Sequence, residues 1–142
     1  MTDVTKDLWP EKFADLPVVT PVAILKAQGQ ILGQKTANVV LGRVYTQRAE
    51  ANNFRHVFHL YCPPLGYETE LLQAVHGIKL YPVRVTATTS GIDATAINAE
   101  EFSQVLSRVF ASGNTRDTIE SLLAQSTQVP ITQISELELD PS

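Results

Sequence analysis

The segment ANVVLGRVYTQRAEANNFRHVFHLYC, residues 37–62, constrains the fold more than any other part of the chain. Val, Tyr, Thr and Phe dominate it, and these residues suit a pleated, half-buried surface. The polar cluster AEANN interrupts it midway. That pattern predicts a β-hairpin with strands near 38–48 and 54–62. Asn52-Asn53 tolerates the positive φ that a turn demands. Pro63 and Pro64 end the second strand, because neither can donate to a ladder. A two-stranded ribbon is marginal in water, so the rest of the chain has to cover it.

That cover comes mostly as helices. Thr20 is a good N-cap for a helix opening at Pro21, with Val22, Leu25, Ile31 and Leu32 at helical spacing and Gly33 at its end. Gly29 inside it costs about 1 kcal/mol relative to Ala. GYETELLQAVHG, residues 66–77, reads as a short helix ending at Gly77 with His76 in its last turn. KLYPVRVTATT, residues 79–89, reads as a third strand. In it Tyr81, Val83, Val85 and Ala87 alternate with Arg84, Thr86 and Thr88, and Pro82 argues for an edge position.

Residues 98–112 carry the clearest helical pattern. Asn98 caps, Glu100 and Glu101 sit in the first turn, and Phe102, Val105, Leu106, Val109 and Phe110 form one stripe. A second helix follows over 115–126, with Ile119, Leu122 and Leu123 apolar. The expected architecture is a single α+β domain over 1–142 in the order α-β-β-α-β-α-α. It is a small antiparallel or mixed sheet of about three strands with helices packed on one face. Residues 1–19 form an arm, 20–128 the core and 129–142 a tail. A tail strand or a second copy would extend so small a sheet.

Composition narrows the function classes. With 44% hydrophobic and 18% charged residues in 142, the chain can bury a core and is not a disordered segment. Its formal net charge of -4 makes it a poor general nucleic-acid binder. Between Lys35 and Arg84 there are six basic and three acidic residues; from Asp93 onward there are eight acidic and two basic. The two stretches complement each other within one fold or across a dimer. One cysteine makes no internal disulfide, and a reducing cytoplasm is the simplest expectation. The first residues lack the apolar core of a signal peptide, and no apolar run approaches a membrane span.

The chemically suggestive stretch is RHVFHLYCPP, residues 55–64. Period-two alternation sends His56 and His59 to opposite faces of a strand, so they cannot share a metal. Phe54, His56, Phe58, Leu60 and Cys62 form the core row, while Arg55, Val57, His59 and Tyr61 face the other way. The candidate catalytic residues are therefore His59, Tyr61 and Arg55, joined by Arg84 or Arg43 from neighbouring strands. Cys62 has no Gly-rich oxyanion loop after it and reads as packing. Glu68 and Glu70, two apart on the expected helix, point in different directions. QGQILGQKT fails as a phosphate loop because Gln34 stands where Gly is required.

The leading expectation is a small cytoplasmic, non-enzymatic interaction or regulatory protein that binds a protein partner or its own copy. Apolar Trp9 and Phe13 in the arm motivate the partner. No cofactor, metal or membrane is expected. The second expectation is a hydrolase or nuclease using His59 with sheet arginines. The third is a weak nucleic-acid binder through Arg43, Tyr45, Arg55, Tyr61 and Arg84, resting on composition alone.

Overall fold

A computed structural model describes residues 5–14 and 18–128. The expected tail strand lies outside them. Helix α1 (Pro21–Lys35) leads into five strands, β1 (Leu41–Arg48), β2 (Phe54–Cys62), β3 (Tyr67–His76), β4 (Val83–Ala87) and β5 (Ile92–Ala96). Helices α2 (Ala99–Phe110) and α3 (Gly113–Gln128) follow. The strands form an antiparallel meander in the order β1-β2-β3-β4-β5. The α+β class holds; the sheet has five strands rather than three.

Two elements account for the difference. Residues 66–77 are not a helix but strand β3. Phe58 pairs with Leu72 while His59 pairs with Glu70, so Leu71 is the extra residue of a β-bulge. The bulge buries both Leu71 and Leu72. With Ala74 and Val75 they give apolar spacings of one, three and four residues, which imitate a helix. Strand β5 is short and built from IDATA, with too little apolar bulk to stand out in the sequence. Its presence places β4 inside the sheet, not at the edge, with Pro82 just ahead of it. The β1–β2 turn also sits one residue early, with positive φ at Ala51 and Asn52 and extended backbone at Asn53.

The helices form for the reasons their sequences give. The Thr20 hydroxyl accepts from the Ala23 N–H, and Asn98 Oδ1 accepts from the Glu101 N–H at 2.8 Å. Helix α1 runs past Gly33 because Gly29 and Gly33 serve as contact points rather than stops. A Cβ on Gly29 would lie 2.6 Å from the Gly42 carbonyl oxygen, and one on Gly42 would lie 2.5 Å from Gly29 Cα. Only two facing glycines let the helix press this closely onto β1.

All three helices serve one face of the sheet. The core joins Phe58, Leu60, Leu72, Val83 and Val85 from the strands to Leu25, Phe102, Leu106 and Val109 from the helices. Register places the remaining side chains on the opposite, open face. One row there reads Arg43–His59–Glu70, the next Tyr45–Val57–Gln73–Thr86–Asp93, and the next Gln47–Arg55–Val75–Arg84–Thr95. Among the described residues, no helix is long and apolar enough to cross a membrane. In the arm, Leu8, Trp9 and Phe13 are exposed, with Trp9 against Phe13.

Candidate functional site

The open face carries the candidate site, and strand geometry puts it there. Alternation along β2 sends Arg55, Val57, His59 and Tyr61 outward, as the sequence pattern implied, while His56, Phe58, Leu60 and Cys62 are buried beneath the helices. The neighbouring strands add Arg43 and Tyr45 from β1 and Glu68 and Glu70 from β3. Glu68 and Glu70 share this face, because residues two apart in a strand point the same way. Their expected divergence fails together with the helix that implied it.

Glu68 is the hub. Its carboxylate accepts from Arg43 Nη1 at 3.1 Å, from the Tyr45 hydroxyl at 2.7 Å and from His59 Nδ1 at 2.8 Å. The Tyr45 hydrogen bond, then His59 and Arg43, hold the carboxyl below the usual carboxylate range. Arg43 lies over the Tyr61 ring at 3.8 Å, and its guanidinium is held above its ordinary value by Tyr45 first and Glu68 after. Because a carboxylate only accepts, His59 donates through Nδ1 and presents Nε2 as a bare acceptor when neutral.

The sequence-derived candidates are thus only partly gathered. His59 joins Glu68, and Tyr61 sits under Arg43. Arg84 stands in the row of Arg55 but two strands away, about 10 Å by strand spacing. It is tied by two hydrogen bonds, 3.0 and 2.8 Å, to Asp93. Arg55 differs from both other arginines of the face. It is half-buried, it makes no ion pair among the described residues, and its Nε is buried without an acceptor. It lines a shallow depression of about 320 Å³ with Tyr45, Val57, His59, Glu70 and Gln73.

A second cluster, of which sequence reasoning placed only His56, lies on the covered face. His56 and His76 are 4% and 6% exposed, and their Nε2 atoms are 2.7 Å apart. The Gly77 carbonyl, 2.6 Å from His76 Nδ1, fixes every proton in the chain. That carbonyl can only accept, so His76 Nδ1 donates and its Nε2 must accept from His56 Nε2–H. His56 Nδ1 is then left to accept from the Thr46 hydroxyl at 2.8 Å. Burial first, then the neighbouring His76 and Lys26, push the His56 imidazole down to about 4. Period-two alternation signalled His56, but His76 was concealed by the helical appearance of β3.

Cys62 is buried, with its sulfur 3.2 Å from the Ser126 hydroxyl. Among the described residues, no three His, Cys, Asp or Glu side chains gather closely enough to hold a metal ion. No protein-family model, no curated protein and no solved structure matches this chain.

Proposed function

We propose that this protein is a non-catalytic binding module whose open sheet face receives a carboxylate-bearing protein segment, with Arg55 as the anchor. One observation carries this reading: Arg55 holds a buried Nε–H with no acceptor among the described residues, on a face where Arg43 and Arg84 each have a carboxylate. A buried donor without a partner costs about 1–3 kcal/mol, more when charged, and an incoming carboxylate relieves that cost. The planar guanidinium favours a two-pronged carboxylate contact. The depression is lined by Val57 and Tyr45 and by Glu70, whose carboxylate is occupied by the Gln73 amide, and its 320 Å³ suits one anchoring side chain. The exposed Trp9 and Phe13 offer further apolar contact to such a partner.

The test is selection from a random peptide library on the immobilised protein, followed by affinity measurement on variants. Peptides enriched in Asp or Glu are expected, binding Arg55→Ala about tenfold more weakly and Arg84→Ala unchanged. Peptides that bind Arg55→Ala as well as the unaltered protein would overturn the reading.

A second reading, general-base hydrolysis, is favoured by the 2.8 Å His59–Glu68 contact, which orients the imidazole as a hydrolase base is oriented. Turnover of aryl ester or phosphodiester substrates, abolished by both His59→Ala and Glu68→Gln, would replace the binding proposal with this one.

A further inference from the structure

On the helical side the helices bury the middle of the sheet, where Phe58, Leu60 and Leu72 are each 1% exposed. Helix α1 is pressed onto the edge strand β1 through Gly29 and Gly42, and α2 packs on β4 and β5 at the other side. Helix α3 contacts α2 and the turns after β2 and β4. A cleft opens between α1 and the α2–α3 pair, with a floor of Phe58, Leu60 and Leu71. Its apolar part has a volume of about 240 Å³, and a wetter part of about 480 Å³ adjoins it through Gln28 and Phe110, which line both.

Two stripes of α1 divide the work. Pro21, Leu25, Gly29 and Gly33 are buried. Ile24, Gln28, Ile31, Leu32 and Lys35 line the cleft, spanning about 16 Å of helix. Phe110 and Ile119 form the opposite wall. The polar inventory of the apolar part is short. The Thr115 hydroxyl already donates to the Val109 carbonyl at 2.8 Å, which leaves Gln28 and the exposed Lys35. Lys35 makes no ion pair among the described residues. An apolar trough lined by a lysine that makes no ion pair among the described residues complements a ligand with an apolar chain and an anionic end.

We propose that this cleft binds a medium-chain fatty carboxylate, its chain along the partly exposed Ile31, Leu32, Phe110 and Ile119 and its carboxylate at Lys35. The site is separate from the open face and does not depend on the function proposed for that face. The probes are decanoate and uncharged decanol, both below their aggregation thresholds, titrated calorimetrically into the full chain. Decanoate is expected to bind saturably with one site, about tenfold more tightly than decanol, and Lys35→Gln should erase that difference.

Ile31→Trp, at a position 37% exposed, should fill the trough and abolish binding without lowering the melting temperature. If that variant does not fold, the comparison of Lys35→Gln with decanol still decides. Several results would overturn the proposal. These are no saturable binding up to about 1 mM, decanoate binding insensitive to Lys35→Gln, binding lost in Arg55→Ala, or a dimer in sedimentation that Ile31→Trp dissociates.

Discussion

At the residue scale, the Thr46–His56–His76–Gly77 chain, buried at its two histidines, makes the sharpest claim about stability. His56 is neutral in the folded protein and titrates near 4 there, against 6.5 when unfolded. Between those values the unfolded chain binds the extra proton, so folded stability is complete above pH 6.5 and falls as the pH drops toward 4. The loss is on the order of 3 kcal/mol. Urea unfolding at a series of pH values should show it, and a flat profile across that window would contradict it. Thr46→Val removes the donor to His56 Nδ1 and should cost about 1–3 kcal/mol at neutral pH. The burial of His56 was accessible from strand alternation, which did not name its Thr46 partner. His76 was not accessible, because it lies beyond the bulge at Leu71 in a segment whose apolar spacing imitates a helix.

At the scale of elements, the docking of α1 on β1 depends on two glycines. Gly42→Ala would place a Cβ 2.5 Å from both Gly29 Cα and Phe58 Cζ, where backbone and a buried ring cannot yield. A loss of about 2–3 kcal/mol by urea unfolding is expected, and a neutral substitution would show that the two elements are not so close. Asn98→Ala removes the α2 cap and should cost about 1 kcal/mol by the same measurement. Helix α2 was legible because its cap, acidic first turn and apolar stripe all agree. Gly29 read only as a propensity cost, since the partner that explains it stands thirteen residues away on another element. Strands β3 and β5 were obscured in opposite ways: a bulge broke the alternation of one, and small residues muted the other.

At the scale of the molecule, a five-stranded meander has one face under helices and one face that no described helix covers. The outward row of β2 was foreseen, and with it Arg55, His59 and Tyr61. The carboxylates that organise it were not, because Glu68 and Glu70 were assigned to a helix. Once those strands are aligned, two arginine–carboxylate ion pairs form on the open face, Arg43 with Glu68 and Arg84 with Asp93, while Arg55 makes none among the described residues and Glu70 accepts from the Gln73 amide. The cleft lined by Ile31 and the open face lie on opposite sides of the sheet, so the effects of Arg55→Ala and Ile31→Trp on stability should add.

The central claim is that Arg55 awaits a carboxylate from outside. The most direct measurement is the NMR signal of the Arg55 Nε–H, followed while a library-selected acidic peptide is titrated to saturation. The expected result is a downfield shift and slowed exchange of that proton, as a buried donor gains its acceptor. A peptide that saturates the protein and leaves the Arg55 Nε–H signal unmoved would contradict the claim.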